Sequence, residues 1–199
     1  MGQGLAEAVG AFRPQPLALV FDYDGTLAHL PVDWHQARAR FREFLHTHGL
    51  AAGCPEGLRL DETEAWALNQ YPEQAERILS FRRAIEEEAA PNPRPIEGTL
   101  AFVRALPAEA PRLFVISNNL HQTVVDGLDA LGLTSRFERI VGLDDTGSPK
   151  PDIRAASLLE QENAVVWSRA IFIGDSESTD GLFCARLDVP FINVSPEVA

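Results

Sequence analysis

Leu17-Ala18-Leu19-Val20-Phe21-Asp22-Tyr23-Asp24-Gly25-Thr26-Leu27 is the stretch that decides the fold. Five apolar residues follow Pro16 and stop at a carboxylate. The run is too short for a helix and lacks the alternation of a half-exposed strand, so it predicts a strand buried on both faces. Similar runs recur at Leu113 to Ile116, Arg139 to Val141, Ala170 to Ile173 and Phe191 to Val194. Helical spacing lies between them, in Leu100, Val103 and Leu106, then Val124, Val125, Leu128 and Leu131. Ile153, Ala156, Leu158 and Leu159 form a third helical pattern, and Leu182 to Leu187 a shorter one. Strands alternating with helices predict an α/β fold, a parallel sheet covered on both faces in a Rossmann-like three-layer core.

Two regions fall outside this rhythm. Leu5, Val9 and Phe12 suggest a short leading helix, ended by Pro14 and Pro16. Residues 30–95 contain no convincing strand, whereas Trp34, Ala37, Phe41, Phe44, Leu45 and His48 keep helical spacing. So do Ala75, Ile78, Leu79 and Ile85, with a shorter pattern between Glu62 and Leu68. Pro31 marks the entrance and Pro91-Asn92-Pro93-Arg94-Pro95 a stiff exit. The expected organisation is a core of residues 1–29 and 96–199 with a small helical module at 30–95. Helices that merely extend one compact domain are the alternative. The acidic run Glu86-Glu87-Glu88 reads as a solvated helix face.

Composition narrows the function classes. Seventeen basic against 29 acidic residues give a net charge of −12 and a pI near 4.8, which opposes binding to nucleic acid through its phosphates. No apolar run approaches a membrane span, and the amino terminus shows no secretory pattern, so the expected location is cytoplasmic. Cys54 and Cys184 form no CxxC unit and are expected to be reduced thiols.

The chemistry-bearing residues gather just past the expected strand ends, where open α/β sheets bind ligands. Asp22 and Asp24 can hold a divalent cation while one attacks phosphorus and the other carries a proton. Read alone, Asp-x-Asp-Gly also fits a calcium loop or a plain turn. Ser117-Asn118-Asn119 fits a small anion cradle or a helix N-cap, and by itself the cap is the simpler reading. Lys150, set between Pro149 and Pro151, can neutralise phosphate oxygens or be an exposed turn residue. In Gly174-Asp175-Ser176-Glu177-Ser178-Thr179-Asp180, Asp175 can ligate a metal, and Asp180 can orient metal-bound water or the lysine.

Taken together, Phe21-Asp22-Tyr23-Asp24-Gly25-Thr26-Leu27, Ile116-Ser117-Asn118, Lys150-Pro151 and Gly174-Asp175 through Asp180 resemble the four signatures of the haloacid dehalogenase superfamily. The chain is most similar to the phosphoglycolate phosphatase-like branch with a small helical cap. The resemblance implies a sheet of order 5-4-1-2-3, with Asp22 as nucleophile and Asp24 as general acid/base. It implies Mg²⁺ held by Asp22, the Asp24 backbone carbonyl and Asp175, with Asp180 in an outer role. Thr26 would support the loop, Ser117 and the Asn118 amide would bind phosphate, and Lys150 would stabilise the intermediate. Asp24 argues for phosphoryl transfer, since the dehalogenases of the superfamily lack that second aspartate. Ile153 stands where a frequent Lys-Pro-x-Pro form has proline, and Pro31-Val32-Asp33-Trp34 departs from the commonest phosphoglycolate phosphatase pattern.

The implied activity is Mg²⁺-dependent hydrolysis of a small phosphorylated metabolite through an aspartyl-phosphate, by a monomer or homodimer. A phosphomutase, or a non-catalytic binding protein of the same fold, is the alternative. Arg38, Arg42, Arg82 and Arg83 could hold a carboxylate or second phosphate, with surface salt bridges as the competing role. Trp34 and Phe41 are expected to pack within the helical module.

Overall fold

The computed structural model describes residues 2–107 and 111–194. Residues 1, 108–110 and 195–199 of the expected core lie outside them. The chain opens with α1 (Gly2–Ala11), which runs into β1 (Ala18–Phe21) and the short β2 (Ala28–His29). Helices α2 (Trp34–Thr47), α3 (Leu60–Gln70) and α4 (Ala75–Ala89) follow, then β3 (Arg94–Pro95) and α5 (Glu97–Ala105). The remainder alternates: β4 (Arg112–Ile116), α6 (His121–Ala130), β5 (Arg139–Val141), α7 (Leu143–Thr146), α8 (Arg154–Asn163), β6 (Ala170–Gly174), α9 (Leu182–Leu187) and β7 (Phe191–Asn193).

β1, β4, β5, β6 and β7 form one parallel sheet in the order β5-β4-β1-β6-β7. The expected 5-4-1-2-3 differs in its labels because it numbers only the core strands, whereas β2 and β3 pair in a separate sheet. Side chains of a strand point alternately to its two faces, and β1 divides accordingly. Leu19 and Phe21 pack with Leu5, Val9, Leu100, Val103 and Val124 from α1, α5 and α6. Ala18 and Val20 pack with Ala155, Leu159 and Phe183 from α8 and α9. All four β1 residues are buried, which is why the stretch carries no polar side chain until the sheet ends.

Helices α2 to α4 share their own apolar cluster, built on Phe41, Leu45, Leu60, Leu68 and Ile78. They are framed by β2 and β3, antiparallel neighbours that pair Ala28 with Pro95 and His29 with Arg94. That ribbon corrects the strand-free reading of residues 30–95. Two residues are too few to make a periodic signal, and two prolines hide the pairing. Asp33 caps α2 by accepting the Gln36 N–H at 2.9 Å.

Candidate active site

Register brings the expected residues to one edge. Phe21 sits beside Val115 on one flank and Ile173 on the other, so the chain leaves the sheet at one level at Asp22, Ser117 and Asp175. The Asp22 N–H continues the ladder to Ile173 O at 2.9 Å, and the Ser117 N–H to Val141 O at 2.9 Å. Lys150 arrives from the segment between α7 and α8 and is 4% exposed. It is no surface turn residue: its Nζ donates to Asp22 Oδ1 at 2.7 Å and to Asp180 Oδ1 at 2.6 Å. Asp180 Oδ2 accepts the Ser176 N–H at 3.2 Å, which fixes the second carboxyl oxygen. Carboxylate oxygens of Asp22, Asp175 and Asp180 lie within 4.8 Å of one another.

Gly25 allows this convergence. Its φ is +85°, and a Cβ there would collide with the Asp175 carboxylate. Gly174 has the same relation to Asp180.

Electrostatics follow from crowding and burial. Burial pushes the Asp22 carboxyl up to about 8; Lys150 opposes this, while Asp180 and Asp175 add to it. Burial and Asp180 raise Asp175 to about 6. Burial alone would lower the Lys150 ammonium, but Asp180 and Asp22 more than offset it, so the net shift is upward.

Asp24 is turned differently from Asp22. Its Oδ1 accepts the Leu30 N–H at 2.9 Å, and its Oδ2 accepts the Trp34 indole N–H at 2.7 Å. Burial raises its carboxyl, against the pull of Leu30 and Trp34. Both its carboxyl oxygens are thus engaged by Leu30 and Trp34, and Asp24 is not among the three carboxylates that converge. Thr26 is buried, and its hydroxyl has no hydrogen-bond partner among the described residues.

Ser117 does not cap α6, whose N-cap is Leu120. Its hydroxyl donates to Asn119 Oδ1 at 3.0 Å and accepts the Asn119 N–H at 3.1 Å. The Asn118 side chain accepts the Lys150 N–H at 2.7 Å, linking the second and third strand-end segments. A cavity of about 390 Å³ opens over Asp22, Asp24, Lys150 and Asp175, and Trp34, Arg38, Arg59 and Arg82 of the helical segment line it.

The four arginines separate. Arg83 pairs with Glu76 in an exposed salt bridge, and Arg42 donates to Pro55 O and Leu58 O. Arg38 lines the cavity and has no ion pair among the described residues. Arg82 is buried, pairs with Glu64 and lies 3.4 Å from Glu86 Oε1. Glu86 corrects the solvated reading of the acidic run: it accepts Asn119 Nδ2–H and Leu120 N–H, each at 2.9 Å, while Glu87 and Glu88 are exposed. A signal existed, because Arg82 and Glu86 share one helix stripe with Ile78 and Ala89. Trp34 packs as expected, but its bond to Asp24 was not foreseen. Arg59 to Ser178 (2.6 Å) and Asn118 to Asp61 (3.2 Å) further join the helical segment to the sheet edge.

Fold and site together define a three-layer α/β protein with an acid–lysine centre at the carboxyl edge of its parallel sheet. The chain belongs to the haloacid dehalogenase-like hydrolase family, whose description matches residues 19–194. A phosphoglycolate phosphatase of Caulobacter vibrioides is 32% identical over 155 residues, covering 77% of this chain and 59% of that relative. Pyrophosphatase PpaX of Listeria monocytogenes is 30% identical over 80 residues, 40% of this chain and 37% of that protein. The chain thus spans less than two thirds of the length of either relative. Among solved structures, the HAD-hydrolase YfnB of Bacillus subtilis, in a magnesium-bound form, superposes with a TM-score of 0.58 at 21% identity, covering 92% of this chain and 91% of that one. Among the described residues no helix is long and apolar enough to cross a membrane. Both cysteines are free.

Proposed function

We propose that the chain is a Mg²⁺-dependent phosphomonoester hydrolase that acts on a small phosphorylated metabolite through an aspartyl-phosphate on Asp22. The observation that carries this reading is one lysine among three carboxylates. Lys150 carries a single positive charge against Asp22, Asp175 and Asp180, and the ionised group therefore lacks two positive charges. Hard oxygen donors with that deficit fit a divalent cation. Asp22, Asp175 and the Asp24 carbonyl would hold it, with Asp180 in an outer role. When bound, magnesium supplies neutralisation of the phosphate oxygens. The magnesium seen in the Bacillus subtilis neighbour agrees with this choice.

In the proposed cycle an Asp22 oxygen forms a bond to phosphorus as the bond to the leaving alcohol breaks. Asp24 gives its proton to the departing oxygen; burial, which raises its carboxyl, favours the protonated form. Asp24 then takes a proton from water, whose oxygen attacks phosphorus and frees the Asp22 carboxylate. Lys150 stays charged throughout and offsets the repulsion between nucleophile and phosphate. Ser117 and the Asn118 amide bind phosphate, and Thr26 supports the loop. Residues 30–95 act as a cap domain over a core of 1–29 and 96–199. Arg38, charged and without an ion pair among the described residues, faces the leaving group and favours a second anionic substituent. The phosphoglycolate phosphatase relatives are consistent with a small phosphorylated acid. The proposed setting is the cytoplasm, in keeping with two free thiols.

Phosphate release with Mg²⁺ across phosphorylated two- and three-carbon acids, sugar phosphates and nucleotides tests the reading. Release is expected from at least one acid and is expected to vanish in Asp22→Asn. Undiminished release in that variant would remove Asp22 as the nucleophile. Isomer formation without free phosphate would replace the hydrolase with a mutase.

A further inference from the structure

We infer that Trp34 is a positioning residue that orients the Asp24 carboxyl toward the leaving oxygen, making proton delivery depend on the docked helical segment. This rests on the proposed acid/base role of Asp24. A carboxylate offers about four lone-pair positions. Two are taken here, one on each oxygen: Leu30 N–H on Oδ1 at 2.9 Å and Trp34 Nε1–H on Oδ2 at 2.7 Å. Two donors on different oxygens fix the carboxyl plane as well as its position, and each oxygen keeps one lone pair for a proton or substrate.

Both tethers lie on the helical-segment side of the β2–β3 ribbon: Leu30 follows β2 directly, and Trp34 is the first residue of α2. An indole nitrogen only donates, so Trp34 cannot exchange roles with Asp24 during the cycle. The ring is itself held: the Arg82 guanidinium lies 5.0 Å from its centroid, and Glu64 and Glu86 hold Arg82 in turn. Glu86 also accepts from Asn119 and Leu120 at the end of β4. The indole is thus held from within the helical segment, while its bond to Asp24 and the Glu86 bonds to Asn119 and Leu120 are the contacts that cross to the sheet edge.

Trp34→Phe keeps an aromatic face for Arg82 while removing the N–H donor together with part of the ring. Misaligned proton delivery matters most when the leaving group is a poor one. The readout is kcat for phosphoglycolate, which expels an alkoxide, beside kcat for p-nitrophenyl phosphate, whose leaving anion is already stabilised. The variant is expected to lose about tenfold or more on the first and less than about threefold on the second, with KM for either changed by less than about threefold. Equal losses on both substrates, or no loss on phosphoglycolate, overturn the inference.

A second measurement needs no turnover. The indole N–H resonance that disappears in Trp34→Phe is expected to move upfield in Asp24→Ala; an unmoved resonance also overturns the inference. If the wild-type protein releases phosphate from neither probe nor any member of the wider substrate panel, the hydrolase reading falls and Trp34 loses its catalytic meaning. The resonance then still reports whether the contact forms.

Discussion

Glu86 Oε1 accepts a hydrogen bond from Asn119 Nδ2 at 2.9 Å, across 33 residues of sequence. The same carboxyl takes the Leu120 N–H and neighbours Arg82, so its removal strands a buried amide and a backbone donor and leaves Arg82 with Glu64 as its ion-pair partner. Glu86→Ala is expected to lower stability by about 3 kcal/mol, and Glu86→Gln by about 1 kcal/mol because the amide oxygen still accepts. Urea unfolding followed by circular dichroism measures both.

Gly25→Ala is expected to cost activity far more than stability. Positive φ alone makes alanine unfavourable by about 1 kcal/mol. The added Cβ also displaces the Asp175 carboxylate from the acidic group. Turnover should fall by about 100-fold or more, while thermal unfolding remains cooperative.

Lys150→Met leaves Asp22 and Asp180 buried without their shared cation. Turnover is expected to drop by about 1,000-fold, and stability at neutral pH by about 3 kcal/mol. Lys150→Arg should not restore activity, because a planar fork cannot replace a point charge between two carboxylates. Phosphate-release assays and denaturant titrations report the two effects separately.

Asp22, held up at about 8, and Asp175, at about 6, make metal-free stability depend on pH. Both carboxyls have folded pKa values above their unfolded ones, so the folded state binds more protons. Their contribution is fully present below about pH 4 and is lost as pH rises through 6 to 8. Metal-free protein should therefore melt several degrees lower at pH 8.5 than at pH 5. Added Mg²⁺ should raise the melting temperature more at pH 8.5, where its carboxylate ligands are ionised. A Mg²⁺ response equal at both pH values would contradict the assignment of these carboxyls as ligands.

Arg38→Ala is expected to raise KM about tenfold for phosphoglycolate and to leave KM for p-nitrophenyl phosphate within about twofold. Comparison of the two substrates isolates recognition of the leaving group.

The sheet and its candidate site edge were readable because both are written in local sequence. An apolar run that stops at a carboxylate marks a strand end, and Asp22, Ser117 and Asp175 each stand within one or two residues of one. Lys150 was readable as a residue but not as a buried one; its two carboxylate partners lie 128 and 30 residues away. The contacts between the helical segment and the sheet edge were out of reach for the same reason. Arg59 meets Ser178 across 119 residues, and no periodicity encodes that meeting. Glu86 lay between these cases: its place on the buried stripe of α4 was visible, but three adjacent glutamates disguised it as a solvated face.

The β2–β3 ribbon bears on how this chain could be recombined with its relatives. β2 starts four residues after Asp24, the Gly25 N–H donates to Ala28 O at 2.8 Å, and the Ile96 N–H donates to Leu27 O at 3.0 Å. The helical segment is thus spliced directly into the loop that carries both aspartates. A chimera joined beyond His29 and before Arg94 inherits that loop whole, whereas one joined at Thr26 or Leu27 must rebuild it. Even the outer junction loses the indole donor to Asp24 unless the grafted first helix brings its own tryptophan. Exchanging these helices to change specificity would therefore also change the chemistry.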